Sequence, residues 1–182
     1  MLNPTYPSVS LIISLILRAK LYTIWQSPDR ALWWSTKDGI DRYNGAYIKH
    51  YQMGDPKHFS NSAGLIIKLA ADNDSTLIAF DNKGGIFDYN EQQDRFMLRT
   101  DLTAIFGHDI ILNDVLPTEN GLWIAMREGA FLLQPKKPLT AILKDVYANT
   151  FVAVHDKVLL CTRNGVYSCS NTPQKIVQST HL

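Results

Sequence analysis

The sequence has no excess of charge of either sign. Its 182 residues carry 18 lysines and arginines against 17 aspartates and glutamates, and only 19% of the residues are charged. This balance provides no basic field for nucleic-acid phosphates, so we expect no nucleic-acid partner. With 46% hydrophobic and 10% aromatic residues, the chain is also too apolar for a disordered tail. The composition is typical of a soluble globular protein with a sizeable core.

Cysteine is scarce. Cys161 and Cys169 are too few for a disulfide framework, and their spacing fits neither a zinc site nor a redox motif. If Asn164 and Gly165 form a two-residue hairpin turn, Cys161 lies opposite Ser168, and Cys169 lies on the other face of the sheet. The sequence therefore predicts two unpaired, buried thiols.

Long hydrophobic runs are also missing. The most apolar stretch covers the nine residues 9–17, whereas a transmembrane helix needs about 20 residues. No Lys or Arg precedes this stretch, and Arg18 and Lys20 follow it, which reverses the charge order of a signal peptide. We expect no membrane span and no convincing signal peptide. Residues 1–20 form an atypical N-terminal segment, interpreted as an unusual export signal, a buried strand, or a start that differs from the native beginning of a longer protein.

A motif recurs four times along the rest of the chain. Its copies start at Leu32, Leu77, Leu122 and Val158, which are separated by 45, 45 and 36 residues. Each copy is an apolar run that leads to a glycine and a second apolar run, and no segment has the 3.6-residue period of a helix. Four-stranded units repeated every 40 to 50 residues or so are typical of β-propeller blades. The sequence predicts an all-β fold of about four antiparallel blades, either a closed small propeller or an open arc of a larger one.

Turn-forming residues divide the chain into units. The propeller repeats span residues 21–177, with a tail at 178–182, and the approximate units are 21–52, 64–99, 109–143 and 146–177. The residues that recur between units are aromatic residues and glycines: Trp33, Gly39, Tyr43, Gly85, Tyr89, Trp123, Gly129 and Gly165. The tryptophans are expected in the core between blades. The glycines are expected within two-residue hairpin turns, because such turns need a positive φ.

A cation precedes each repeat glycine by two residues. These cations are Lys37, Lys83, Arg127 and Arg163. The turns between the second and third strands of propeller blades all emerge on one rim, so the four side chains are predicted to form an arc on a single face. Such an arc favours an anionic or hydroxyl-rich ligand. The alternative is that turn tips are simply polar.

The sequence carries no evident catalytic or metal-binding motif. Its five histidines are scattered, and no Ser or Cys stands in a nucleophile elbow. Asp72-Asn73-Asp74 and Asp81-Asn82 suggest calcium, but the loop lacks the glycine and the glutamate that complete an EF-hand. We predict no catalytic residues, no metal and no cofactor, although a site assembled from separate blades remains an alternative.

The first copy of the motif, residues 32–45, reads Leu-Trp-Trp-Ser-Thr-Lys-Asp-Gly-Ile-Asp-Arg-Tyr-Asn-Gly. It resembles the regulator-propeller (two-component regulator propeller) repeat, whose core reads Leu-Trp-x-Gly-Thr-x-x-Gly-Leu-x-Arg-Tyr-Asp. That repeat is characteristic of the sensor regions of hybrid two-component histidine kinases in glycan-degrading gut bacteria. Ser35 stands where the family often has glycine. The third copy is similar through residues 121–124 and Gly129, and the others mainly through their spacing.

The resemblance implies a periplasmic sensor region whose kinase and membrane span lie elsewhere in the parent protein. It predicts a non-catalytic module for oligosaccharide-linked signal transduction, with an oligosaccharide ligand and self-association or a homodimer. The family's first propeller has about seven blades, so this chain is interpreted as a shortened or fragmentary member. The alternative is a protein-interaction scaffold or an inactive fragment of such a sensor, and a small propeller lyase is the weaker third interpretation.

Overall fold

The computed structural model describes residues 21–53, 64–72, 76–155, 157–170 and 176–179. The predicted N-terminal segment 1–20 lies outside the described residues, as do residues 180–182 of the predicted tail. In the described part, the chain forms sixteen strands and one short helix. The predicted all-β class is confirmed.

The strands form four antiparallel sheets, in each of which the strands follow the order of the sequence. Sheet 1 contains β1 (Ile24–Gln26), β2 (Leu32–Thr36), β3 (Gly39–Tyr43) and β4 (Ile48–Tyr51). Sheet 2 contains β5 (Ile66–Ala71), β6 (Leu77–Asp81), β7 (Gly85–Asn90) and β8 (Arg95–Asp101). Sheet 3 contains β9 (Leu112–Thr118), β10 (Gly121–Met126), β11 (Gly129–Leu133) and β12 (Thr140–Lys144). Sheet 4 contains β13 (Ala148–Val154), β14 (Lys157–Thr162), β15 (Gly165–Ser170) and β16 (Ile176–Ser179).

The helix α1 (Leu102–Phe106) joins sheet 2 to sheet 3. The side chain of Asp101 caps its start by accepting hydrogen bonds from the amides of Thr103 and Ala104. Gly107 ends it with φ +72°, the left-handed conformation that glycine adopts most easily.

The sheets pack face to face as four propeller blades. Successive residues of a strand point to opposite faces of its sheet, so the residues of each second strand divide between two faces. In sheets 1 to 3 one of these faces packs on the next sheet, and we call the equivalent side of every sheet the leading face: Trp33, Ile78, Trp123 and Leu159. The neighbouring residues form the trailing face: Trp34, Ala79, Ile124 and Leu160. Buried apolar clusters join sheets 1 and 2, sheets 2 and 3, and sheets 3 and 4.

The innermost strands of sheets 2, 3 and 4 share an irregularity. Each contains one extra residue that has no partner on the second strand, namely Ile67, Asn113 and Asn149. An extra residue of this kind is a β-bulge, which bends the strand and increases its twist. The bulges lie at equivalent positions, so the three blades match in register as well as in strand order.

The repeat glycines do not occupy the predicted turn centres. Thr36 pairs with Gly39, so the two central turn residues of sheet 1 are 37–38, and the corresponding turns of sheets 3 and 4 are 127–128 and 163–164. A Cβ on Gly39 would lie 2.3 Å from the carbonyl oxygen of Tyr51, and one on Gly129 would lie 2.2 Å from that of Leu143. Glycine is therefore required where the fourth strand approaches the start of the third.

The same one-residue shift corrects the predicted cysteine register. Cys161 pairs with Val166 and not with Ser168, while Cys169 lies on the opposite face of sheet 4. Both cysteines are free, Cys169 being buried and Cys161 only half-buried. Burial raises the pKa of the Cys169 thiol to about 11.

Candidate ligand-binding site

The turns between second and third strands lie at one end of the propeller, together with the connections between blades. Backbone hydrogen bonds join the two sets: Asn82 N–H to Leu65 O (2.9 Å), Arg127 N–H to Ile111 O (3.1 Å) and Arg163 N–H to Tyr147 O (3.2 Å). We call this end the connection end. Antiparallel strands place the remaining hairpin turns at the opposite end.

All four predicted cations lie on turns at the connection end. The Lys37 side chain is 74% exposed, with Nζ 3.5 Å from the Asp38 carboxylate. Arg163 places its guanidinium 4.0 Å from the ring centroid of Tyr147, the residue immediately before β13, in a cation–π contact. Lys83 and Arg127 are exposed. The contacts described for these side chains are local, and each cation stands on its own blade.

A cavity of about 360 Å³ opens beside Lys37, between sheets 1 and 2. Its lining consists of Thr36, Lys37, Asp38, Gly39, Gln52, Met53, Gly64 and Ile66. Met53 and Ile66 are buried and form an apolar surface. The ammonium, carboxylate and amide groups of Lys37, Asp38 and Gln52 can both donate and accept hydrogen bonds. A small apolar patch with a few polar groups is the usual composition of a small-molecule site.

Asp81 fixes one wall of this cavity. Only 4% of the residue is exposed, and its carboxylate accepts hydrogen bonds from the amides of Lys83 (2.8 Å), Gly85 (2.8 Å) and Gly64 (3.3 Å). Burial raises the pKa of Asp81, and the amide donors act in the opposite direction. A Cβ on Gly85 would lie 2.7 Å from the Asp81 carboxylate, which explains the glycine at this position.

A second polar cluster lies at the opposite end, between the outer strands of sheets 1 and 2. Asp94 accepts hydrogen bonds from the hydroxyls of Tyr51 (2.8 Å) and Tyr89 (2.6 Å) and forms an ion pair with Lys49. Hydrogen bonding to Lys49 is the largest cause that lowers the pKa of Asp94 to about 2. Burial raises the pKa of Tyr89. Lys49 and Tyr51 belong to sheet 1, whereas Tyr89 and Asp94 belong to the second blade. Their hydrogen bonds and ion pair therefore join the two blades.

The innermost strands carry a third polar group. Asp114 is 7% exposed and lies 2.6 Å from Lys68 Nζ, and it also accepts hydrogen bonds from Thr150 Oγ1 (2.7 Å) and the Phe151 amide (2.9 Å). Lys68, Asp114 and Thr150 occupy equivalent positions in the register, and Thr23 occupies the fourth. The sequence prediction missed this set, although alignment of the first strands would have shown a polar residue in every unit.

The described part of the chain contains neither a candidate metal-ion cluster nor a candidate membrane-spanning helix. There, no group of three or more His, Cys, Asp or Glu residues could hold a metal ion. None of the described helices is both long and apolar enough to cross a membrane. Asn73 and Asp74 of the calcium interpretation lie outside the described residues.

The comparisons with known proteins identify the fold. No protein-family model and no curated protein matches the sequence. The chain is similar in structure to the extracellular domain of a protein assigned as a one-component system of B. thetaiotaomicron, with 15% identity over 89% of this chain and 22% of that one (TM-score 0.65). It is also similar to the extracellular domain of a hybrid two-component system of that organism, with 15% identity over 88% and 24% (TM-score 0.60).

Enzymes share the architecture as well. A catalytically inactive virginiamycin B lyase from Staphylococcus aureus, solved with quinupristin, is 12% identical over 88% of this chain and 55% of that chain, with a TM-score of 0.66. The chain thus spans less than a quarter of the two sensor domains and about half of the lyase. At these identities the likeness shows the propeller fold, which is the fold that the regulator-propeller resemblance implied.

Proposed function

We propose that this chain is a non-catalytic, extracytoplasmic sensor module that binds an oligosaccharide at its connection end. The observation that carries the proposal is the 360 Å³ cavity between sheets 1 and 2, which has one of the four repeat cations, Lys37, at its mouth. Two structural neighbours, which are extracellular domains of a one-component and a hybrid two-component system, support the assignment to sensing.

The lining of the cavity matches the two kinds of surface that a sugar ring presents. The apolar face of a pyranose can contact the Met53 side chain, which is 8% exposed, while Lys37, Asp38 and Gln52 can hydrogen-bond to its hydroxyls. The ammonium of Lys37 also favours a uronate or sulfate group on the ligand. An extended oligosaccharide would reach the exposed Lys83 on the next blade.

The position of the cavity also suggests how binding is transmitted. Its lining comes from the first and second blades, so a ligand contacts residues of both. Binding then stabilises those arrangements of the two blades in which the contacts are made together. A ligand shifts a signalling equilibrium only through this difference in affinity between two states.

A glycan array of neutral, uronate-containing and sulfated oligosaccharides tests the proposal, followed by titration calorimetry with the best binder. We expect saturable binding that Lys37→Ser weakens about tenfold, because a charge-assisted hydrogen bond is lost. Replacing Lys37, Lys83, Arg127 and Arg163 together by Ser should weaken it further.

The matched control replaces Lys136 and Lys137 by Ser. These two cations lie in the turn between β11 and β12, at the opposite end from the cavity. The control should bind as the wild type does. The absence of binding to every oligosaccharide on the array would contradict the proposal and favour the scaffold interpretation. An equal loss of affinity in the control and in the Lys37→Ser variant would also contradict it.

A further inference from the structure

The turn between β6 and β7 departs from the repeat. Three residues, 82–84, separate these two strands, whereas two residues separate the corresponding strands of the other three sheets. The helix α1 follows the same sheet. In a regular repeat, such departures are expected at positions that serve a function. Together with Asp81, which begins it, we call this segment the long turn (residues 81–84).

On one side, the side chains of the long turn hold the wall of the cavity. Asn82 Oδ1 accepts a hydrogen bond from the Leu65 amide (2.8 Å), and the Asn82 amide donates to the Leu65 carbonyl (2.9 Å). The Asp81 carboxylate accepts from the Gly64 amide (3.3 Å). A Cβ on Gly64 would lie 2.7 Å from both Asn82 Oδ1 and Asp81 Cγ, so the fit is close. A shift of residues 64 and 65 therefore moves the turn.

On the other side, the backbone of the long turn holds the connection to the third blade. The Asn82 carbonyl accepts a hydrogen bond from the amide of Leu112, the first residue of β9 (3.0 Å). The next two carbonyls of the turn accept from the Thr103 hydroxyl (2.8 Å) and the Leu102 amide (3.0 Å), respectively. Leu102 and Thr103 begin α1. A displacement of the turn therefore reaches both α1 and β9.

The corresponding turn of sheet 3 shows the same arrangement with fewer bonds. The Arg127 amide donates to the Ile111 carbonyl on one side, and the Glu128 carbonyl accepts from the Asp145 amide on the other. The long turn makes three hydrogen bonds on each side, two of them from its Asp and Asn side chains. The second blade thus strengthens a link that the repeat provides in a simpler form.

We propose that Asp81 and Asn82 couple the wall of the cavity to the start of the third blade. Asp81 also fixes the shape of the turn through two of the turn's own amides. The far side is tightly packed as well, since a Cβ on Gly84 would lie 2.6 Å from Ile110 Cδ1. Coupling between two sites is reciprocal, so a change at α1 alters the cavity as a change in the cavity alters α1. The use of this coupling in sensing rests on the proposed function, whereas the coupling itself is a property of the ligand-free chain.

Amide hydrogen exchange, followed by NMR in the ligand-free chain, tests the coupling from each side. Thr103→Val removes a hydroxyl that bonds to the turn on the side away from the cavity. We expect the Leu65 amide to exchange about fivefold faster, the effect of about one lost hydrogen bond. The matched control is Thr162→Val, which removes a hydroxyl bonded to the Gly165 carbonyl in sheet 4 (2.9 Å). The control should leave exchange of the Leu65 amide unchanged.

Gly64→Ala tests the opposite direction. The added Cβ pushes on Asp81 and Asn82, so we expect the Leu112 amide to exchange about fivefold faster. Gly45→Ala is the control, because Gly45 has a φ of +95° in the turn between β3 and β4 and a Cβ there meets nothing within 4 Å. It strains the backbone at the opposite end of the propeller and should not change exchange of the Leu112 amide.

Amides of sheet 4 report general loss of stability, and their exchange should not change in Thr103→Val or Gly64→Ala. Acceleration confined to the substituted side of the long turn would overturn the proposal, as would equal acceleration of all amides. Thr103→Val decides alone if Gly64→Ala does not fold. Coupling without oligosaccharide binding would refute the proposed function but not the coupling, and binding without coupling would refute only the coupling.

Discussion

The interface between sheets 1 and 2 and the interface between sheets 3 and 4 contain a tryptophan at the same repeat position, in different surroundings. Trp33 donates a hydrogen bond from Nε1 to Ser27 Oγ (3.3 Å), and the Arg42 guanidinium lies 5.0 Å from its ring centroid. Trp123 is fully buried beside Phe151, and its Nε1 has no hydrogen-bond partner among the described residues. The repeat therefore determines where the tryptophan lies, but not whether its indole N–H has a hydrogen-bond partner.

The outer strands account for the difference. Between sheets 1 and 2 they bring together Tyr51, Tyr89 and Phe96, with ring centroids 5.3–5.8 Å apart, and tie the two tyrosines to Asp94. Between sheets 3 and 4 the cluster consists mainly of alanines and branched aliphatic residues around Trp123. Both interfaces also contain directional polar bonds, but in different places. Between sheets 1 and 2 the hydroxyls of Tyr51 and Tyr89 donate to Asp94 beside the aromatic cluster, whereas between sheets 3 and 4 the polar bonds lie on the innermost strands, where Thr150 and the Phe151 amide donate to Asp114.

The largest expected effect is that of Trp123→Ala. Removal of this buried side chain should lower the free energy of unfolding by about 3–5 kcal/mol, because a large cavity forms among the apolar side chains around it. Since blades contact only their neighbours, hydrogen exchange should accelerate mainly in sheets 3 and 4. Equal acceleration in sheet 1 would show that the two interfaces are not independent.

Asp94→Ala tests the polar cluster on the outer strands of sheets 1 and 2. The change leaves the hydroxyls of Tyr51 and Tyr89 without their acceptor, so we expect a loss of about 1–2 kcal/mol in urea unfolding, a value that allows for the partial exposure of Asp94. Glu119→Ala, at an exposed turn of sheet 3, is the control and should change the free energy of unfolding by less than about 0.5 kcal/mol. If both variants unfold at the same urea concentration, the cluster adds nothing to stability.

Acid should weaken the Asp94 cluster between sheets 1 and 2 in a defined pH range. The pKa of Asp94 is lowered to about 2 in the folded chain, against about 3.9 in an unfolded one. The unfolded chain therefore binds more protons between these values, so the stabilisation is present above about pH 4 and is lost as the pH falls towards 2. Urea midpoints measured from pH 5 to pH 2 should fall less steeply in Asp94→Ala than in the wild type. If the urea midpoints of both proteins fall equally with pH, Asp94 is not the group responsible for the acid sensitivity.

The smallest expected effect compares Trp33→Phe with Trp123→Phe. Both substitutions remove an indole from the same repeat position, but only the first loses a hydrogen bond and a cation–π contact, while the second removes an unpartnered N–H. Trp33→Phe should therefore cost roughly 0.5–1 kcal/mol more in the free energy of unfolding. Thermal unfolding of the two variants under the same conditions measures the difference, and an inverted order would refute this explanation.

Local pattern was sufficient to predict the blades. Apolar alternation and regularly spaced glycines identified four antiparallel units, because strand pairing between sequence neighbours depends on local residues. The turn register was wrong by one residue because the requirement on Gly39 arises from the approach of Tyr51 on a different strand. The spacing of residues within the β2–β3 hairpin does not show where Tyr51 of β4 will lie.

The candidate site was less predictable than the fold. The four turn cations follow from the repeat, and the structure places their turns at one end, as topology requires. Gln52 and Met53, which line the cavity, come from the connection after β4, where the units share no motif. The pairing of Lys68 with Asp114 spans two blades, so it depends on which innermost strands become neighbours in space.

Every sheet of this molecule is built from strands that are consecutive in the chain. Pairings between consecutive strands close short loops, so the entropy lost before each contact forms is small, and folding is faster than in β-proteins whose strands pair across long separations. During synthesis, each blade can begin to pair its strands once its own 40 or so residues have left the ribosome. The next blade then covers its leading face, so that assembly proceeds from the N-terminus in steps of one blade.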